Sequence, residues 1–254
     1  MTKKRVITII QARMASSRLP GKIMQDLAGR PMLAWVVARA RRAKTTDEVV
    51  IATTTDPADD AVAAYCEQNG YAYYRGSMHD VLDRYYQAAR QFDAHVVVRL
   101  TADCPLIDPA EIDRTVNAFL AADPPLDFAA NRLPMARTVP IGLDTEVCTF
   151  AALETAWQQA EEAHQREHVM PYFYEQPERF RMLHITHDPD YGHHRWTVDT
   201  PEDLALIREV LTHFAGRDDF TWQQVLALFE QRPELAEINA GVQHKTYREV
   251  DDRR

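Results

Sequence analysis

Short unbroken apolar runs alternate along the first half of the chain with longer segments whose apolar positions recur every three or four residues. Residues 6–10 (VITII) are apolar or β-branched throughout, which predicts a buried strand. A helical pattern then opens at Pro31 and runs through Leu33, Val36, Val37 and Ala40 into the basic cluster 39–44, whose charge suits a helix C-terminus. Residues 48–52 read as a second strand. A helix opened by Pro57 carries Val62, Ala63 and Cys66 on one face and stops at Gly70. Residues 71–74 predict a short strand, 79–91 a helix, 95–100 (HVVVRL) the clearest buried strand, and Pro109 starts a helix to about Ala122. Strand–helix alternation of this kind predicts a parallel α/β sheet that binds its ligand at the carboxyl ends of the strands.

The second half is less regular. Strands are expected at 126–130, 145–150, 181–185 and 195–198, and helices at 151–163, 167–175, 201–214 and 221–231. Residues 131–142 hold two prolines and little periodicity, which marks a long functional loop. The end from about Gly241 is polar and expected to fray. No Gly- or Ser-rich linker divides the chain, so one domain is expected. Its parts are a nucleotide-binding half (about 1–125), an acceptor and subunit-contact region (about 126–200) and C-terminal helices (201–254).

Candidate chemistry begins directly after the first strand. The loop QARMASSRLPGK sets Arg13, Arg18 and Lys22 among small residues, and Pro20-Gly21 turns the chain. Three cations on such a loop suit a polyphosphate, although a solvated basic loop has the same spacing. It is not a Walker A loop, because the leading Gly is missing and Ile23 follows the lysine. Two heptads echo each other, RLTADCP (99–105) and RWTVDTP (195–201). In extended chain their Arg, Thr and Asp share a face, which would aim Asp103 and Asp199 into one crevice. Paired carboxylates there suit Mg²⁺; an Asp before a Pro-started helix equally reads as its N-cap.

Weaker candidates follow. Arg75-Gly76-Ser77 leaves a strand where a base is often read, or is a simple Gly turn. Asp144 and Glu146 share a strand face and suit sugar hydroxyls or loop cations. His168 precedes an aromatic segment, as an acceptor contact or a satisfied core residue. His187, His193 and His194 lack firm metal spacing and read as a solvated loop or a substrate lid.

Composition narrows the classes. A net charge of −9 argues against a general nucleic-acid or membrane-surface binder. Cys66, Cys104 and Cys148 are widely spaced without a CxxC pair, which points to reduced, buried thiols. The first apolar run is too short for a signal peptide, and nothing approaches the ~18 apolar residues of a membrane span. A cytoplasmic protein is expected.

The loop QARMASSRLPGK resembles the signature loop of the CTP-dependent sugar cytidylyltransferases, in particular the SpsF-like spore-coat polysaccharide branch. It is also similar to the loop of CMP-Kdo synthetases and, more distantly, of acylneuraminate cytidylyltransferases. TADCPLIDP and WTVDTPEDL resemble the segments that carry the metal-binding aspartates of that superfamily. DVLDRYYQAA, GLDTEV, REHVMPYFY and PELAEIN extend the resemblance over nearly the whole chain, in order.

The resemblance implies a three-layer α/β/α nucleotide-diphospho-sugar transferase fold, GT-A-like and Rossmann-like, with a mostly parallel central sheet. It implies transfer of CMP from CTP to an acidic or amino sugar for surface polysaccharide biosynthesis, with release of pyrophosphate. Gln11, Ala12, Arg13, Arg18, Lys22, Arg75 and Ser77 would hold the nucleotide. Lys22, Asp103 and Asp199 would be catalytic, with Mg²⁺ on the two aspartates. Asp144, Glu146, His168 and Arg195 would meet the acceptor, in a homodimer. Ile141 departs from the SpsF branch, which carries a polar residue there, often Asp, so the resemblance does not name the acceptor. A glycosyltransferase on the same fold is the alternative enzyme, but Thr101-Ala102-Asp103 lacks its Asp-x-Asp pair. A non-catalytic scaffold is the alternative outside catalysis.

Overall fold

Strand β1 (Val6–Gln11) lies inside a seven-stranded sheet and buries every apolar side chain it carries. The structure is a computed structural model and describes residues 4–134, 136–244, 246 and 248. The other strands of the sheet are β2 (Glu48–Thr54), β3 (Ala72–Gly76), β4 (Val96–Thr101), β5 (Phe128–Ala130), β6 (Glu146–Thr149) and β7 (Met182–His184). Their spatial order is β7-β5-β6-β4-β1-β2-β3. Only β6 opposes its neighbours, and every other pairing in this sheet is parallel.

Alternation along the strands decides the layers. Val6, Ile10, Val49, Ile51, Val96 and Val98 face one way, against α1 (Met32–Ala40), α2 (Asp60–Asn69) and α4 (Pro109–Ala121). Ile7, Ile9, Val50 and Val97 face the other way, against α3 (Val81–Gln91), α5 (Phe150–Gln159) and the α6–α7 pair (Ala163–His168 and Pro171–Glu175). The result is the expected three-layer α/β/α architecture, with a mostly parallel sheet. A third apolar cluster joins Leu27, Met32 and Trp35 to Trp196, Val198, α8 (Pro201–His213) and α9 (Trp222–Gln231).

Three expectations from the second half need correction. The helix expected over 167–175 is two short helices, broken where Val169 turns to φ 71. Pro171 has no N–H to continue the first and instead starts the second. Residues 195–198 are not a strand. Arg195 makes one bridge to Ile141, and Trp196 and Val198 pack into the third cluster instead of extending the sheet. The loop 131–142 contains a small hairpin, Arg132–Leu133 against Ala136–Arg137.

Gly142 closes this region with φ +112, and an added Cβ would fall 2.8 Å from the Trp196 carbonyl carbon and 2.9 Å from the Thr197 nitrogen. Both obstacles are backbone and cannot turn aside. Gly142→Ala should therefore cost about 1–3 kcal/mol of stability. Urea unfolding measures it, and an unchanged midpoint would show that the 142–197 contact is not rigid.

Candidate active site

The loop after β1 is built to deliver one lysine. The Met14 N–H donates to Asp59 Oδ1 at 2.6 Å, and Asp59 is fully buried beneath the loop. The Gly21 N–H closes the loop on the Met14 carbonyl at 2.8 Å, with φ 69 that favours glycine. A turn of 3₁₀ helix, Lys22–Met24, follows directly.

The Lys22 ammonium has three protons and finds three acceptors. Nζ donates to Asp103 Oδ2 at 2.7 Å, to the Val198 carbonyl at 2.7 Å and to Asp199 Oδ1 at 2.8 Å. Burial works to lower its pKa, but the two carboxylates more than reverse this, and the ammonium is held above its usual value. Burial likewise opposes ionisation of Asp199, yet Lys22, Arg18 and Arg195 hold its carboxyl well below the usual range. Arg18 reaches Asp199 at 2.9 Å, and Arg195 reaches it at 2.8 Å. Arg195 is itself clamped by both oxygens of buried Asp203, each at 2.9 Å. The echoing heptads meet here, because the Val198 N–H and the Thr197 hydroxyl both donate to the Asp103 carbonyl, at 2.9 and 3.2 Å.

Neither aspartate is a helix cap. Thr200 caps α8 in a capping box with Asp203, and Asp108 caps α4. Asp103 and Asp199 instead line a cleft of about 970 Å³, together with Gln11, Ala12, Arg13, Arg18 and Lys22. Asp144 and His168 line the same cleft. The structure thus brings nine of the expected site residues to one cavity.

The remaining four lie elsewhere. Arg75 is turned to the Thr54 carbonyl at 2.7 Å and to Asp60 at 2.6 Å, outside the cleft lining. The Ser77 hydroxyl accepts from the Asp80 N–H at 3.0 Å, also outside it. Glu146 is 1% exposed, enclosed by Arg99, Arg132 and the Tyr174 hydroxyl, so pairing with cations and not with sugar is its role. Arg195 positions Asp199 without lining the cleft.

Arg84, Arg132 and Arg137 also line the cleft and were not singled out in the sequence. Arg84 is buried, with one nitrogen on the Ser77 carbonyl and its Nε without a partner among the described residues. Burial pushes its pKa down to about 10. The available signal was its place beside Val81 and Ala88 on the apolar stripe of α3. Arg137 binds Asp144 at 2.8 Å, and Arg132 stands 3.4 Å from the same carboxylate. Both lay unremarked in the 131–142 loop.

His187, His193 and His194 contact neighbouring side chains. His187 binds Glu111 at 2.9 Å. His193 leans on His194, which packs on Trp196 and Phe229 and is pushed by burial to about 4. No group of three or more metal-ligating side chains occurs among the described residues.

Comparison with known proteins decides the family. Residues 7–234 match the family described as Cytidylyltransferase. The chain belongs to the cytidylyltransferase family. It is 32% identical to the spore coat polysaccharide biosynthesis protein SpsF of Bacillus subtilis, over 91% of this chain and 96% of that one. It is 31% identical to the 3-deoxy-manno-octulosonate cytidylyltransferase of Anaeromyxobacter dehalogenans, over 82% and 98% of the two chains. A cytidylyltransferase structure from Leptospira borgpetersenii superposes with a TM-score of 0.88 at 31% identity, covering 95% of this chain and all of that one. This cytidylyltransferase is accordingly a nucleotidyltransferase enzyme.

Lys22→Met should leave Asp103 and Asp199 facing each other without their shared counter-ion. The expected loss is about 3–5 kcal/mol by denaturant unfolding without added metal, because one partner of a buried ion group is gone. Adding Asp199→Asn to that variant should recover part of it. A Lys22→Met chain as stable as the parent would refute the counter-ion role.

Proposed function

We propose that this cytidylyltransferase transfers CMP from CTP to a hydroxyl of an acidic or amino sugar. The acceptor oxygen attacks the α-phosphorus and loses its proton; the bond to the β-phosphate oxygen breaks, and pyrophosphate leaves. The observation that carries this reading is one buried ammonium held by two carboxylates at the wall of a cation-lined cleft. Positioning and charge neutralisation dominate such a transfer. Arg13, Arg18 and Lys22 would hold the triphosphate. Arg84 presents a buried donor, which suits the O2 and N3 acceptors of cytosine better than Arg75, already spent on its own loop.

Asp103 and Asp199 fit Mg²⁺, because their oxygens already converge on one cation and hard oxygen donors are what that ion selects. Held there, it would neutralise phosphate charge and make the attacking hydroxyl more acidic. At the acceptor side Arg132 and Arg137 outnumber Asp144, which favours a carboxylate-bearing sugar. Such a product suits surface polysaccharide synthesis. The three thiols are unpaired, in keeping with a cytoplasmic setting where CTP is available. We also read a twofold dimer through the 131–194 region, where Leu183 is exposed on edge strand β7. A monomer mass by light scattering at micromolar concentration would remove the dimer.

Pyrophosphate release from CTP, UTP, ATP and GTP, across a panel of acidic and amino sugars with Mg²⁺, tests the reaction. CTP should be the productive nucleotide, since a site that pairs one exocyclic group rejects its mismatch by orders of magnitude. Asp103→Asn and Asp199→Asn should each lower the rate by about a hundredfold or more, and the double variant by far less than the product. Equal turnover of UTP would sink the base assignment. No CTP-induced thermal shift and no pyrophosphate from any sugar would sink the transfer itself.

A further inference from the structure

The family match ends at residue 234, yet the chain beyond it returns to the cleft. Buried Asn239 anchors this return. Its amide donates to the Arg195 carbonyl at 3.0 Å and to Asp203 Oδ1 at 2.8 Å. After that anchor the Gln243 carbonyl accepts from Arg18 at 3.5 Å. His244 Nδ1 then accepts from Arg195 NH1 at 3.1 Å. His244, Thr246 and Arg248 all line the cleft.

His244 lines the cleft beside Arg195. The charged groups that act on its ring are Arg137 and Asp144 from the acceptor side, and Arg195 and Asp199 from the metal side. The junction of those two sides is where an acceptor oxygen and an α-phosphate have to meet. An arginine can only donate, so its bond to Nδ1 places the imidazole proton on Nε2. The ring is then a neutral donor with a settled tautomer at the seam of the site.

We propose that Gln243, His244, Thr246 and Arg248 form part of the wall of the substrate site, with His244 Nε2–H as a substrate-contacting donor. This rests on the nucleotide reading above and adds residues that the family match does not reach. Arg18 and Arg195 serve both the carboxylate pair and the segment, so the wall is attached to the same charges that the triphosphate engages.

The test is the dissociation of CTP in the presence of Mg²⁺, by surface plasmon resonance on enzyme captured through its N-terminus. Three variants are compared with the full chain: His244→Ala, His244→Gln, and a chain ending at Ala240 that keeps the Asn239 anchor. His244→Ala should release CTP about tenfold faster, the loss expected for one hydrogen bond to a charged oxygen. The shortened chain should release it faster still, with association no slower. His244→Gln can place an amide N–H near the Nε2 position and should restore most of the retention. The melting temperature without nucleotide should stay near that of the full chain in all three. Unchanged dissociation in both His244→Ala and the shortened chain would overturn the proposal, as would a fall in melting temperature alone. Failure of every chain, the full one included, to bind CTP would instead overturn the nucleotide reading and the wall with it.

Discussion

One ammonium group ties three distant segments of this protein together. Lys22 comes from the loop after β1, Asp103 from the turn after β4, and Val198 with Asp199 from the segment before α8. Each charge in isolation would be costly to bury. Together with Arg18, Arg195 and Asp203 they form three cations against three carboxylates. Such a group adds little net stability over apolar packing, but it tolerates hardly any alternative arrangement. Its contribution is to hold the loops in one register. That register sets the cleft.

The same logic recurs around Glu146 in a drier form. Arg99 lies directly opposite Glu146 across the β4–β6 pair, and Tyr174 and Arg132 complete the enclosure of that carboxylate. Arg99 also reaches Gln11 at 3.1 Å, at the end of β1. The end of β1 and strand β6 are therefore braced through one guanidinium. Asp144, two residues earlier, remains in the cleft with Arg137 and Arg132 on it.

The sequence made burial legible more readily than pairing. Unbroken runs such as 95–100 can sit only inside a sheet, and β4 falls within one residue of that expectation. Trp196 and Val198 alternate with polar neighbours as a strand would, but alternation reports which side chains are buried and not which backbone is near. Site residues divided along the same line. Lys22, Asp103 and Asp199 were visible because charge stood directly beside strand ends. Arg75 had that adjacency too, yet its side chain turns back on the Thr54 carbonyl, a direction no spacing encodes. Arg84 was not singled out, because its spacing on α3 does not report whether a charged side chain is buried. Its burial depends on the loop at Gly76, where even a Cβ would lie 3.2 Å from the Arg84 chain. The contest between cap and ligand at Asp199 was decided one residue later, by the Thr200 hydroxyl.

The reversed strand β6 has a consequence for how this scaffold can change. Strands β1 and β4 meet the cleft at their carboxyl ends, through the turns that carry Lys22 and Asp103. In β6 the polarity is inverted, and the cleft is met at its beginning, by the segment from Arg132 to Asp144 that precedes it. That segment can lengthen, shorten or exchange its cations while β1, β4 and the turns after them stay as they are. Inverting a single strand lets one wall of the cleft vary apart from the wall that carries Lys22 and Asp103.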